Sequence, residues 1–120
     1  MHELSIAESL LSLVGEHVSA EDRPALRTVR VRVGPLSGVV ADSLELCFRA
    51  LVSGTPYEKA RLEIEAAPAR GRCLACGEEF EVFEPLFRCA SCGGTRLRVE
   101  GGAELRLAEI ELAEAVVKAP

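Results

Sequence analysis

The sequence is poor in aromatic and basic residues. It has no tryptophan and one tyrosine, so its core must be built mainly from aliphatic side chains. Its 14 lysine and arginine residues are scattered and are outnumbered by 19 acidic residues, which gives a net charge of −5. Proteins that bind nucleic acids neutralise phosphates with clustered basic side chains. The charge balance therefore argues against DNA or RNA as the main partner.

Long hydrophobic stretches are also lacking. No apolar run approaches the roughly 20 residues that a membrane-spanning helix requires. The first residues have neither the basic start nor the small-residue cleavage site of a signal peptide. We therefore expect a cytoplasmic protein with no membrane segment. At 120 residues, of which 48% are hydrophobic and 28% charged, the chain is long enough for one modest core.

A helix is predicted near the N-terminus. Ser5 and Glu8 have the spacing of a capping box, in which a serine and a glutamate satisfy free N–H groups at a helix start. Apolar residues then recur at helical spacing, so the helix is expected over residues 5–19. Residues 1–3 would then lie outside it, as a free arm.

The remaining chain predicts three strands and one more helix. Alternating apolar and polar residues predict strands at 27–33 and 61–67, and helical spacing predicts a second helix over about 38–53. A last strand is expected at 104–113, where the apolar phase shifts midway; a β-bulge or burial on both faces would explain the shift. The expected fold class is α+β, with two helices packed on a small three-stranded sheet and a separate lobe inserted before the last strand.

Two copies of Cys-x-x-Cys-Gly, at residues 73–77 and 89–93, form the strongest motif. The two-residue spacer lets both sulfurs of a pair point at one ion, and the glycine can adopt the positive φ that closes the turn. Such a pattern favours zinc, with iron as the second option, over two disulfides or a redox dithiol. A site with four protein ligands has no position open to water and should be structural. The expected ligands are Cys73, Cys76, Cys89 and Cys92.

The lobe that carries these motifs, residues 69–101, is small. It has about thirty residues, fewer than the roughly 40 at which a hydrophobic core usually suffices. Zinc binding would supply the missing stability, as in a zinc ribbon. We therefore predict an α/β domain of residues 1–68 plus 102–120 and a zinc-binding domain of residues 69–101. The fifth cysteine, Cys47, falls on the apolar side of the second helix and is expected to be buried.

The N-terminal arm offers the atoms of a second metal site. The Met1 amine, the His2 imidazole and the backbone nitrogens of His2 and Glu3 would form a chelate that suits Ni²⁺ or Cu²⁺. A histidine near a terminus is more often an exposed side chain with no such role, and Glu3 would equally suit a helix dipole. The residues alone leave both interpretations open. His17, the other histidine, is expected to be partly buried and structural.

Several motifs together resemble the HypA/HybF family of hydrogenase maturation proteins. The resemblance spans nearly the whole chain in order, and its departures are Ala90, where the family often has proline, and a shortened tail. The motifs are Met-His-Glu at 1–3 before a leucine-rich helix, Val-Gly-Pro-Leu-Ser-Gly-Val at 33–39, Ser-Gly-Thr at 53–55, the two cysteine pairs, Gly-Ala-Glu-Leu at 102–105 and Ile-Glu at 110–111.

This resemblance implies a nickel metallochaperone that assists nickel insertion into the large subunit of nickel–iron hydrogenase, and in some members urease. It implies His2 as a nickel ligand, assisted by Glu3 and the N-terminal backbone, so that residues 1–68 plus 102–120 form the nickel-binding domain. The four cysteines would be zinc ligands. The implied partners are a HypB-type GTPase and the hydrogenase large-subunit precursor.

We therefore expect a carrier with transported Ni²⁺ and structural Zn²⁺, not an enzyme, present as a monomer or weak homodimer. Two other classes of protein share the cysteine pattern. A zinc-ribbon regulatory or nucleic-acid-binding module would use it to fold. A rubredoxin-like iron electron carrier or a thiol oxidoreductase would use it for redox chemistry.

Overall fold

The computed structural model describes residues 3–84 and 88–118. Within these ranges the fold is α+β, with two helices and two small sheets, which confirms the predicted class. None of the helices there is long and apolar enough to cross a membrane. The elements, in chain order, are α1 (Glu3–His17), a short 3-10 helix (Arg23–Ala25), β1 (Leu26–Val33), α2 (Ala41–Val52), β2 (Arg61–Ala66), β3 (Ala69–Cys73), β4 (Glu79–Val82), β5 (Leu97–Glu100), β6 (Leu105–Leu112) and β7 (Val116–Lys118).

Helix α1 begins at Glu3, two residues before the predicted start. Ser5 and Glu8 are therefore both inside the helix, and the prediction that they cap its first turn was wrong. An acidic residue suits the new start, because a negative charge near a helix N-terminus complements the dipole. Glu3 is consequently part of α1 instead of a free arm, whereas Met1 and His2 lie outside the described residues.

The buried face of α1 leaves out some of its apolar residues. Leu4 and Leu13 are 46% and 41% exposed. The residues that are buried follow the i, i+3, i+4 spacing of one helix face. They are Ile6, Ala7, Leu10 and Val14.

Helix α2 begins at Ala41, later than expected, because Gly38 has a φ of +75° and Val40 is extended, with φ −89° and ψ 109°. Val40 occupies the N-cap position and provides no side-chain hydrogen bond. The buried side chains are Leu44, Phe48 and Val52, and α2 packs against α1. Cys47 is only half-buried, so its predicted burial was wrong; it lies at the edge of the face that Leu44 and Phe48 define.

The larger sheet has four strands in the order β2-β1-β6-β7, one more than predicted. Strand β7 pairs antiparallel with β6 and places Val116 opposite Glu111. It was missed because it is only three residues long. In β6 the buried residues Leu107 and Ile110 are three apart, which confirms the predicted shift of the apolar phase.

An arginine on the central strand β1 joins three strands of this sheet. Arg30 donates hydrogen bonds from Nε and Nη2 to Oε2 of Glu63 on β2, at 3.0 and 2.6 Å, and from Nη1 to Glu109 on β6. The bond to Glu63, followed by the charges of both glutamates, raises the pKa of Arg30 further above its usual range. Glu109 is therefore a structural ion-pair partner of Arg30.

The chain divides into two compact units. One contains both helices and most of the four-stranded sheet, and the other consists of Arg32–Gly38 and Ala66–Leu105. We call the latter the cysteine unit. The division into domains of residues 1–68 plus 102–120 and 69–101 stays a prediction.

The cysteine unit contains an antiparallel sheet in the order β4-β3-β5. The central strand β3 lacks the alternating apolar pattern of a strand, because a glycine replaces an apolar side chain in its middle. Gly71 lies opposite Phe80 on β4 and Val99 on β5. A Cβ atom at Gly71 would lie 2.7 Å from Cε2 of Phe80, so the phenyl ring takes the place of the missing side chain.

Two glycines of the cysteine unit bring distant segments into backbone contact. Gly34 donates its N–H to the carbonyl of Glu104 at 2.7 Å, and Leu36 donates to the carbonyl of Gly102 at 2.6 Å. A Cβ atom on Gly34 would lie 2.1 Å from the Gly102 oxygen. Gly102 itself has a φ of +89°, and its Cβ would lie 2.7 Å from that of Ala69. Only glycine fits at either position.

We predict that Gly34→Ala destabilises the protein by about 3 kcal/mol, because the new methyl group would overlap a backbone carbonyl that cannot rotate away. The matched control is Gly15→Ala in α1, where the Cβ would meet Tyr57 Oη at an ordinary 3.5 Å. That change should stabilise the helix by about 0.5–1 kcal/mol. Urea unfolding of the three proteins measures both effects, and equal midpoints would contradict the prediction.

Candidate metal centre

The two Cys-x-x-Cys-Gly turns have the same backbone geometry. Gly77 donates its N–H to the carbonyl of Cys73, and Gly93 donates to Cys89, both at 2.8 Å. The first cysteine of each turn also donates its N–H to the carbonyl five residues later, at 2.9 Å in both. The two glycines have φ values of +81° and +73°, which residues with a side chain rarely adopt. The predicted role of these glycines is confirmed.

The four sulfur atoms lie together. Sγ of Cys73 is 3.6 Å from Sγ of Cys92, and Sγ of Cys76 is 3.6 Å from Sγ of Cys89. All four lie within 4.8 Å of one another, and none is in a disulfide. A tetrahedral zinc with Zn–S bonds of about 2.3 Å has sulfurs about 3.8 Å apart, whereas disulfide sulfurs are about 2.05 Å apart. The spacing therefore fits four thiolates around one ion, and the group could hold zinc.

Each turn contributes one buried and one exposed cysteine. Cys73, the last residue of β3, and Cys89 are 0% and 1% exposed, whereas Cys76 and Cys92 face solvent. The N–H of Gly94 points at Sγ of Cys92 at 3.4 Å. Backbone N–H groups directed at sulfur stabilise the thiolate, the form that binds metals.

The thiols differ in acidity because they are close together. The backbone N–H groups of Cys76 and then Ala75 outweigh burial and lower the pKa of Cys73 from 9.0 to about 6. At Cys76 the N–H of Glu78 lowers the pKa of the thiol. The neighbouring thiol of Cys89, burial and the other two thiols outweigh this effect and raise the pKa to about 12. The Cys92 thiol also has a raised pKa, although the N–H of Gly94 opposes the shift. A negative charge therefore forms readily at Cys73, whereas the raised pKa values of Cys76 and Cys92 disfavour further charges beside it.

Of the two other predicted site residues, Glu3 and His2, the structure describes only Glu3. Glu3 lies at the start of α1, and its carboxylate accepts hydrogen bonds from the N–H of Val40 and the hydroxyl of Ser43, both at 3.4 Å. His2 lies outside the described residues, so its role as a ligand stays a prediction. His17 is exposed at the end of α1, so its predicted partial burial was wrong. The cysteines are the one group in the described ranges whose side chains are close enough to hold an ion.

The exposed face of the three-stranded sheet carries charges of both signs. Arg70 on β3 lies between Glu81 on β4 and Glu100 on β5, while Arg72 lies between Glu79 and an arginine. A nucleic-acid surface needs basic residues without interleaved carboxylates. This face therefore gives no support to the nucleic-acid-binding alternative.

The fold and the cysteine group define an α+β metal-binding protein with a four-thiol centre. A family model described as hydrogenase/urease nickel incorporation, metallochaperone, hypA, matches residues 1–112. The chain belongs to the HypA family, the nickel metallochaperones of hydrogenase maturation. This finding confirms the resemblance inferred from the motifs.

Similar proteins support this assignment over almost their whole length. The chain is 39% identical to a hydrogenase maturation factor HypA of Azotobacter vinelandii and 44% identical to that of Geobacter metallireducens, in each case over 93% of this chain and 99% of the relative. The solution structure of the nickel metallochaperone HypA from Helicobacter pylori has a TM-score of 0.60 over 93% of this chain and 97% of its own. Because its sequence identity is 24%, this last likeness supports the fold alone.

We predict that Cys73→Ser abolishes zinc retention and the order of the sheet formed by β3, β4 and β5, because hydroxyl oxygen is a poor replacement for thiolate at a zinc centre. The matched control is Cys47→Ser, which changes a half-buried cysteine outside the group. Zinc content by atomic emission should fall from about one per chain to near zero in the first variant only. Amide hydrogen exchange across β3 should rise in parallel; protection equal to that of the control would contradict the prediction.

Zinc binding should also release protons. At pH 7 the Cys73 thiol is already ionised, since its pKa is about 6, whereas the raised pKa values keep Cys76 and Cys92 protonated. We therefore expect the release of about two or more protons per zinc. Calorimetry in buffers of different ionisation enthalpy measures this number. Zinc affinity should fall as the pH drops through 6, where Cys73 also becomes protonated, and proton-neutral binding would contradict the expectation.

Proposed function

We propose that this chain is a nickel carrier without catalytic activity, in which the N-terminal residues bind Ni²⁺ and the four cysteines bind a structural Zn²⁺. One observation carries the proposal. A four-sulfur group with tetrahedral spacing occurs in a chain whose residues 1–112 match a family of nickel-incorporation metallochaperones. A carrier needs a site that binds and releases its metal ion, and a stable fold that holds this site.

The proposed zinc ligands are Cys73, Cys76, Cys89 and Cys92. Four protein thiolates leave no coordination position for water or substrate, which supports a structural role. Zinc would join the end of β3 to the turn at 89–93 and so stabilise the cysteine unit. A redox role is disfavoured, because a site closed by metal has no free thiol to exchange.

The proposed nickel ligands are the Met1 amine, the His2 imidazole and the backbone nitrogens of His2 and Glu3. Glu3 is the first residue of α1, and the first N–H groups of a helix have no intrahelical acceptor. The backbone N–H of Glu3 therefore makes no hydrogen bond within α1. Its carboxylate already accepts hydrogen bonds from Val40 and Ser43, so we assign Glu3 to the site through its backbone atom.

We further propose that the recipient is the hydrogenase large-subunit precursor, with a HypB-type GTPase as the second partner, in the cytoplasm. The support is the assignment of the relatives to hydrogenase maturation. Nickel-loaded protein should transfer its ion to the purified precursor, whereas a variant without the N-terminal site should not.

The decisive measurement is nickel calorimetry on variants of residues 1–3. His2→Gln removes the imidazole; glutamine is used because a small second residue would permit removal of Met1. One residue added before Met1 displaces the terminal amine. Glu3→Pro removes the backbone N–H but is tolerated in the first turn of a helix. Each change should weaken nickel binding by at least about a hundred-fold, since each breaks a chelate ring.

Glu3→Gln is the matched control, because it keeps the backbone nitrogen and an acceptor oxygen at position 3. Its nickel affinity should stay within about ten-fold of the wild type. All four variants should keep about one zinc per chain. Unchanged nickel affinity in His2→Gln and in the extended protein would refute the N-terminal site.

A further inference from the structure

Helix α2 lacks a cap of its own. Its N-cap residue is Val40, whose side chain has no oxygen to accept a hydrogen bond. The first N–H groups of a helix need an external acceptor, and Ser, Thr, Asp or Asn usually supply it at this position. Because the Val40 side chain cannot accept a hydrogen bond, the free N–H groups at the start of α2 need acceptors from another part of the chain.

Glu3, from the first turn of α1, supplies an acceptor for one of these N–H groups, that of Val40. Its Oε2 accepts the N–H of Val40 and its Oε1 accepts the hydroxyl of Ser43, the third residue of α2, each at 3.4 Å. The two oxygens thus bind the N-cap and N3 positions of the same helix. The negative charge also lies at the positive end of the α2 dipole. Glu3 thus accepts the N-cap N–H of α2 from a neighbouring helix, the role that a glutamate at N3 has in a capping box.

We propose that Ser43 is a positioning residue for the N-terminal nickel site, acting through the Glu3 carboxylate that it holds. Ser43 does not touch the ion. By fixing the side chain of Glu3, it orders the backbone nitrogen at position 3 before nickel arrives. Less conformational freedom is then lost on binding, which strengthens the complex. This inference rests on the proposed function, since it requires the Glu3 nitrogen to be a nickel ligand.

A Glu3 carboxylate that itself ligates nickel would predict the opposite change in nickel affinity. If the Glu3 carboxylate had to leave Val40 and Ser43 to ligate nickel, the cap would compete with the ion. Removing the Ser43 hydroxyl would then strengthen nickel binding. The sign of the change in affinity therefore separates a positioning role from a competing one.

The test compares Ser43→Ala, Ser43→Thr and the control Ser12→Ala, which removes an exposed hydroxyl in α1. Ser43→Ala should weaken nickel binding by about five-fold, the effect of losing one modest hydrogen bond. Ser43→Thr restores the hydroxyl and should bind as the wild type does. Glu3→Ala should weaken binding at least as much, and the double variant Glu3→Ala/Ser43→Ala should lose no more than Glu3→Ala alone.

Amide hydrogen exchange at Val40 tests the contact without nickel. Glu3→Ala should speed exchange at this amide, and unchanged exchange would overturn the inference whatever the nickel result. Wild-type or tighter nickel binding by Ser43→Ala, while His2→Gln has lost binding, would overturn it and leave the proposed function intact. Undiminished binding by His2→Gln would instead refute the proposed function.

Discussion

Four cysteine sulfurs that lie within 4.8 Å of one another cannot all carry negative charge unless a cation joins them. The backbone of each turn is nevertheless arranged for thiolates, with N–H groups near the sulfurs and a left-handed glycine that closes the loop. Among the described residues of the cysteine unit, Val82 is the largest buried side chain other than cysteine, and the middle of the central strand is Gly71, covered by Phe80. The folded structure of the cysteine unit therefore depends on a cation that offsets the negative charge of the thiolates. Structural zinc is the simplest solution that the geometry admits.

Glycines in two of the motifs outside the metal centre have a steric explanation. The segments at 33–39 and 102–105 are far apart in sequence, yet Gly34 and Gly102 are in backbone contact. A methyl group on Gly34 would overlap a carbonyl, and Gly102 combines a positive φ with a close approach to Ala69. In the sequence these two glycines look like a functional motif, but in the structure close packing of the backbone requires them.

The parts of the fold that local sequence determines were predictable. The cysteine spacing sets the turn geometry by itself, and alternation located β1, β2 and β6 to within one residue at most of their ends. Strand β3 was missed because its central residue has no side chain, and the ring that covers it comes from another strand. The start of α1 was misplaced because the local capping signal at Ser5 suggested a boundary that the helix does not use. The bonds from Glu3 to Val40 and Ser43 join residues 37 and 40 positions apart, and no spacing rule reveals them. The proposal that Met1 and His2 are nickel ligands rests on the sequence alone.

The unequal exposure of the four cysteines has a kinetic consequence. Each turn keeps one sulfur inside, at Cys73 and Cys89, and presents one to solvent, at Cys76 and Cys92. A chelator or a competing thiol that approaches an ion at this centre meets the outer pair first. Partial displacement there would leave the ion bridged by one inner sulfur from each turn. Ligand exchange could thus begin at the surface while the two halves of the loop stay cross-linked, so that metal loss proceeds in stages and can be reversed before the sheet beneath opens.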